Sequence, residues 1–260
     1  MPKVSALTSI YSSEKYLDGY IKNVKKQNFT DFDVHIDLNK PSEFEHIKLT
    51  NFSKSYEKVN LTISESLKSM SASWNNCILN SDSEYICLWN VDDKRTKNSL
   101  RIMSEALDNN NEVDIIYGHY YKTRNYKNIY GKLVDMSKST HLLKVGMILG
   151  PFFMFRRKLI EKSGYFDEQL FSGADYDFAM RILSHGKAMY LKKNLGYFLD
   201  EGLGASTRPD SKQAVERTLV ELRYGIRVLD TSLVERAMTE YDVQNIVVNN
   251  QKFLAKNFIT

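Results

Sequence analysis

Two neighbouring carboxylates, Asp92 and Asp93, follow directly on the apolar segment Tyr85 to Trp89. A short apolar run of this kind reads as a buried strand. The turn Asn90-Val91-Asp92-Asp93 therefore stands at a strand's carboxyl end, where open α/β sheets bind ligands. Hard anionic oxygens in such a place suit Mg²⁺ or Mn²⁺, ions that bridge nucleotide phosphates and fill their other positions with water or substrate. A solvated polar turn uses the same residues, because Asp is common where strands end. A third carboxylate, Asp175, opens a segment in which Tyr176, Ala179, Met180 and Leu183 fall at helical spacing. So placed, it can take a proton from a hydroxyl or cap the helix.

The elements that must hold these residues alternate between strand and helix signals, the pattern of βαβ units around a mainly parallel sheet. Val4 to Ile10 reads as a buried strand, followed by a helical face of Leu17, Tyr20, Ile21 and Val24. Phe32 to Leu38 and Val59 to Ile63 alternate with the period of strands, and a helix is expected from about Ser66 to Asn80. Leu100, Met103 and Leu107 keep helical spacing, Val113 to Tyr117 is strand-like, and Phe152 to Phe155 leads to a short helix ending at Ser163-Gly164. After a strand-like Ala188 to Leu191, residues 211–260 read as helical only, with Val215, Leu219, Leu222 and Ile226 on one face and Val234, Ala237, Met238 and Tyr241 on another. Covering the sheet edge, contacting a partner transferase and forming a homodimer are all open uses of this appendix.

With 260 residues, 42% of them hydrophobic, the chain can bury a full core without metal or disulfide staples. Its net charge of +4 is too near balance to argue for nucleic acid as a partner. Cys77 and Cys87 are unpaired by spacing and lie in apolar stretches, which favours core roles and a reducing, cytoplasmic setting. No signal peptide or membrane-spanning run is expected from the sequence. The histidines lack zinc-ligand spacing, and the glycines of P-loop and dinucleotide-binding turns are missing. The stretch 122–144 carries six basic residues against one acid, with Tyr126 and Tyr130 interleaved, so it is either a solvated loop or a surface for an anionic glycan, a lipid diphosphate or a phosphorylated acceptor. Asp200 to Arg208 is either a plain connection or a loop that closes over a diphosphate with Arg208 as a fork.

Three blocks in order give these pieces a common meaning. The first is Pro2-Lys3-Val4-Ser5 with Tyr11 and Phe32-Asp33-Val34-His35-Ile36-Asp37; the second runs from Trp74-Asn75 to Asp92-Asp93. The third is Gly150-Pro151 through Gly164-Tyr165-Phe166-Asp167-Glu168 to Asp175-Tyr176-Asp177 and Arg181. Over roughly residues 2–208 the chain resembles the family 2 glycosyltransferases, inverting enzymes that use nucleotide sugars. The resemblance implies a GT-A type, Rossmann-like α/β fold with a mainly parallel sheet flanked by helices. It divides the chain into a transferase domain at 1–210, its nucleotide half about 1–95 and acceptor half about 96–210, and a helical appendix at 211–260.

The resemblance also assigns roles. Asp175 would be the catalytic base; Tyr11, Asp37, Asn75 and Asp92 would bind the nucleotide; Asp93 and Asp92 would hold Mn or Mg. Gly150, Pro151 and Arg208 would serve the acceptor or the diphosphate. The donor would be a nucleotide sugar, UDP-linked as first choice, and the acceptor a glycan or lipid-linked glycan at the inner face of a membrane, in polysaccharide biosynthesis. Four positions depart from the family pattern: Leu38 replaces a second acid, Trp74 an arginine, Asn90 the first acid of the DxD motif, and Ala174 the glutamate before the base. These departures leave open a catalytically weak or inactive nucleotide-sugar-binding relative that scaffolds an assembly; a nucleotidyltransferase shares the nucleotide-binding sheet, but the glycine- and arginine-rich phosphate loop it would carry near the N-terminus is missing.

Overall fold

A computed structural model describes residues 1–125, 131–137, 147, 149–202 and 211–258. Four strands, β1 (Val4–Ile10), β2 (Phe32–Asn39), β3 (Val59–Ser64) and β4 (Tyr85–Leu88), pair in parallel in the order β3-β2-β1-β4. The registers align Val4 with both Phe32 and Tyr85, so these strands end along one edge. The sheet continues through β8 (Met154–Arg156), β6 (Ile115–Thr123), β9 (Ala188–Leu199) and the two-residue β5 (Lys94–Arg95), with β7 (Lys132–Val134) paired to β6. It is mixed: β8 runs antiparallel between β4 and β6, whereas β6 and β9 are parallel.

Strand alternation builds two cores, one on each face. Leu7, Ile86 and Leu88 face one buried cluster, while Val4, Ala6, Ile10, Tyr85, Cys87 and Trp89 face the other. The second face is covered by α1 (Glu14–Lys25), through Leu17, Tyr20 and Val24, by α2 (Glu43–Ser55), through Leu49 and Phe52, and by α4 (Ser99–Asp108). The first takes α3 (Met70–Leu79), α5 (Leu159–Ser163), α6 (Ala174–His185) and α7 (Gln213–Arg223). Cys77 and Cys87 are free, buried core residues, and burial pushes both thiols up, away from nucleophilic use. No helix among the described residues is long and apolar enough to cross a membrane.

The structure corrects three expectations. Helix α2 is missing from the sequence reading, although its capping box is present as Ser42 and Glu45. The helix expected at Ser66 starts only at Met70, because Ser69 caps it by accepting from the N–H of Ala72. Residues 211–260 are not helical throughout: after α7 and α8 (Thr231–Glu240), β10 (Asn245–Val248) and β11 (Gln251–Leu254) form a hairpin. Its two-residue turn, Asn249-Asn250, has positive φ at both positions, as a right-twisting hairpin requires.

Nor does this segment stand apart from the rest. Val215, Leu219, Val220, Ala237 and Tyr241 belong to the same buried cluster as Phe155 and Phe178. Arg223 of α7 reaches Asp167 at 2.6 Å and Asp177 of α6 at 3.2 Å, and Arg181 meets Asp177 at 2.8 Å; all four side chains are fully buried. At Gly164, where φ is +70°, a Cβ would lie 2.7 Å from the Phe258 ring, so the chain's last turn is seated against a glycine. We expect Arg223→Met to lower the unfolding free energy by about 3–5 kcal/mol, because it leaves the buried Asp167 without its cationic partner while Asp177 keeps only Arg181. Chemical denaturation measures this, and a change below about 1 kcal/mol would contradict the network's structural role.

Candidate active site

The parallel strands deliver the candidate residues to their common carboxyl edge. The N–H of Trp89 donates to the Leu7 carbonyl at 2.8 Å, extending the β1–β4 pairing by one residue before the chain turns. In the turn, Asp93 N–H donates to Asn90 O at 3.1 Å, and Asn90 Nδ2 donates to Asp93 Oδ2 at 3.2 Å. The other oxygen, Oδ1, accepts from Leu199 N–H at 3.1 Å, which ties the acid to the end of β9. Asp93 is buried and Asp92 partly so. Burial pushes both carboxyls up; Asp93 goes well above the ordinary range because Asp92 adds repulsion to it. Behind the pair, the buried Arg95 guanidinium lies between the rings of Trp89 and Phe152, at 5.5 and 5.4 Å, and draws Asp93 back down.

A small cavity of 80 Å³ opens beside this turn, lined by Asp92, Asp93, Lys94 and, from α1, Lys15 and Tyr16. Glu201 closes the group: it accepts from Lys15 Nζ at 2.8 and 2.6 Å and from the Tyr16 hydroxyl, and its charge helps raise Asp92. Sequence reasoning missed Lys15, Tyr16 and Glu201. Glu201 is 186 residues from Lys15, and no local pattern announces that pairing.

Tyr11 follows β1 directly and is 49% exposed. Its loop is pinned from the unanticipated α2: Glu45 accepts from Ser13 N–H at 2.5 Å, and Ser13 Oγ donates to Tyr11 O at 2.9 Å. Asp37, near the end of β2, is fully buried and pairs internally with Lys68 at 3.2 Å. Asn75 is used up inside the fold, where its amide exchanges hydrogen bonds with the Phe166 backbone at 2.9 Å and donates to Glu168 at 3.0 Å. Gly150 and Pro151 precede β8, whose Met154 pairs with Cys87, and so they reach the same edge. Gly150 has φ +67°, with the Tyr120 ring 3.1 Å from where a Cβ would stand. Arg208 lies outside the described residues, as do Tyr126 and Tyr130 of the basic stretch.

Asp175 is the second residue of α6, and the cap position is Gly173, so Asp175 is not the helix cap. It accepts from the Tyr176 N–H at 2.8 Å. Burial pushes its carboxyl up to about 6, and the charge of Glu216 adds to the shift. Helix α6 leads from this edge back to the start of β9, which pairs in parallel with β6. Ser71, at the start of α3, donates to the Leu170 carbonyl and ties the entry of α6 to the edge where β3 ends. Asp175, Tyr11 and Asp37 share this edge but do not line the cavity around Asp92 and Asp93. Among the described residues, no three His, Cys, Asp or Glu side chains gather to hold a metal ion.

The sequence profile described as Glycosyl transferase family 2 matches residues 5–164, more than half of the chain. The chain belongs to glycosyl transferase family 2. The match includes Tyr11, Asp37, Asp92, Asp93 and Gly150 and stops short of Asp175. Among solved structures, S. aureus TarS 1-349 in complex with UDP-GlcNAc is similar at a TM-score of 0.69 and 16% identity, over 92% of this chain and 72% of that one. The mannosyltransferase PcManGT from Pyrobaculum calidifontis, in complex with GDP-Man and Mn2+, is similar at 0.64 and 12%, over 92% and 68%. No curated protein matches the sequence. The mixed α/β fold is thus the GT-A fold that the sequence led us to expect, on a chain that is a glycosyltransferase by family.

Because burial raises the Asp175 carboxyl, its ionised form costs stability above about pH 6, and the cost fades as pH falls below that value. We expect Asp175→Asn at pH 8 to melt at or above the parent temperature. A melting point several degrees lower would contradict the shift.

Proposed function

We propose that this family 2 glycosyltransferase moves a sugar from a nucleotide diphosphate donor, UDP-linked as first choice, to a hydroxyl of a glycan or lipid-linked glycan, with inversion at the anomeric carbon. The observation that carries this reading is the sharing of one sheet edge by the Asp92-Asp93 turn, the Tyr11 loop and the entry of α6. That TarS is found with UDP-GlcNAc and PcManGT with GDP-Man supports a nucleotide-sugar donor.

Two adjacent carboxylates, one repelling the other in a buried turn, fit a divalent cation. They do not build a cage, which suits Mn²⁺ or Mg²⁺ held mainly by substrate phosphates and water. When bound, the ion supplies Lewis-acid neutralisation of the leaving diphosphate. Lys15, held by Glu201 at the mouth of the cavity, brings a second positive charge to the same place. Tyr11 presents an exposed ring on which the base stacks, and Asp37, on the neighbouring strand beside Ser9, is buried and paired with Lys68. Asn75 has no part in this reading, since its amide is already committed. Asp175 takes the acceptor hydroxyl's proton onto its carboxylate as the oxygen attacks. A carboxyl near 6 is a better proton acceptor than an ordinary aspartate and is still ionised at neutral pH.

The test is nucleotide diphosphate release and sugar transfer across a panel of nucleotide sugars with Mn²⁺. Asp175→Asn should keep donor binding and lose transfer by about 10²–10⁴-fold. Asp93→Ala should lose the metal-dependent part of donor binding, read by calorimetry with and without Mn²⁺. The parent's kcat should fall as pH drops through about 6, where Asp175 takes up its proton. Equal transfer by Asp175→Asn, or a kcat that holds level down to pH 4, overturns the assignment of the base.

A further inference from the structure

Glu216, in α7, is a fully buried carboxylate that the proposed reaction does not use. It is 41 residues beyond Asp175 in the chain and meets the entry of α6 directly. Phe171 N–H donates to both of its oxygens at 3.0 Å; Ser172 N–H and Gly173 N–H donate to Oε2 at 2.6 and 2.7 Å. The Ser172 hydroxyl adds a contact to Oε2 at 3.3 Å, and the Tyr241 hydroxyl donates to Oε1 at 2.9 Å. These partners are all neutral donors. The consecutive backbone N–H groups form a concave seat for one anion, and α7 fills it with its own carboxylate.

The close approach is built into the sequence on both sides. A Cβ on Gly173 would lie 2.9 Å from the Glu216 Cβ, so only glycine lets α7 come this near. Ala174 follows without a carboxylate, and Asp175 comes next. The charged and titratable groups around this joint are few. Lys212 stands over the rings of Phe171 and Tyr241, at 5.3 and 5.6 Å, while Arg217 and Glu221 pair with each other at 2.7 Å beside Tyr176.

We propose that Glu216 is the positioning residue for Asp175: its carboxylate clamps residues 171–173 and thereby fixes where the base stands at the start of α6. Its negative charge has a second effect, because it favours the protonated form of the neighbouring Asp175 and so makes that carboxylate the stronger proton acceptor. The inference rests on the reading of Asp175 as the base. It makes the C-terminal segment part of the catalytic apparatus.

Glu216→Gln is the direct test. Its amide oxygen can still accept from Ser172 and Gly173 while its NH₂ turns to Tyr241, whose hydroxyl can rotate to accept. The geometry is then nearly kept and the charge removed. Transfer kinetics are measured for Glu216→Gln, Tyr241→Phe and Asp175→Asn with the full chain, UDP-sugar and Mn²⁺. For Glu216→Gln we expect kcat to fall about tenfold with the donor KM unchanged, and the acid limb of kcat to move to lower pH. A purely structural role would leave that limb where it is. Folded Glu216→Gln with the parent's kcat and acid limb overturns the proposal. Should Glu216→Gln not fold, Tyr241→Phe decides: a lower kcat at unchanged donor KM supports the clamp, and parental kinetics reject it. An Asp175→Asn variant with full transfer removes the base itself, whereas an inactive Asp175→Asn beside a parental Glu216→Gln rejects only the clamp.

Discussion

Strands hydrogen-bonded in parallel must all end along one edge, and the rest of the molecule is arranged around that constraint. β1, β2 and β4 are in parallel register, so the Tyr11 loop, Asp37 and the Asp92-Asp93 turn come to neighbouring positions whatever their separation in sequence. The antiparallel β8 then carries Gly150-Pro151 to the same edge, and the crossover through α6 begins there as well. Local side-chain chemistry is secondary to this geometry. Acids that would repel one another in an extended chain are brought together because backbone pairing leaves them nowhere else to go.

Charge burial is the cost of that convergence, and the structure offsets it in two different ways. At the Asp92-Asp93 turn the offset is partial: an asparagine amide, one backbone N–H and the Arg95 guanidinium act on Asp93, and the carboxyls remain shifted upward. These are the carboxyls to which the proposed function gives a divalent cation. Between α6 and α7 the partners are closer, although burial still pushes the Asp167 carboxyl up. Arg223 and Arg181 satisfy Asp167 and Asp177, while Glu216 is satisfied by backbone N–H groups without a cation in the set. Such pairs contribute little to net stability, but they specify one arrangement of α7 against α6. The C-terminal segment therefore does more than cover apolar surface.

What the sequence disclosed follows from the range of the interactions involved. β1, β2, β4 and the buried faces of α1 and α6 were legible, because period-two and helical spacing are local signals that the core leaves intact. Helix α2 was obscured by Phe44 and Ile47, apolar residues that the fold leaves exposed, so its stripe has little contrast. The β10–β11 hairpin hid behind an apolar run whose turn is Asn-Asn, a weaker signal than Asn-Gly. Among the site residues, Asp92, Asp93 and Asp175 stand at element ends where their spacing could be read. Lys15, Glu201 and Glu216 act through contacts across 25 or more residues, and nothing local marks them. Asn75 shows the opposite error: a motif position whose side chain the fold employs internally.

The central claim is that the turn at 92–93 and the entry of α6 open on one shared cleft. Paramagnetic broadening by Mn²⁺ in the presence of UDP tests it directly, on an isotope-labelled protein with Mg²⁺ as the diamagnetic reference. The account requires the amide signals of Tyr11, Leu38, Asp92 and Tyr176 to broaden together, while those of the β10–β11 hairpin stay sharp. Broadening around Asp92 that leaves Tyr176 as sharp as the hairpin would contradict it.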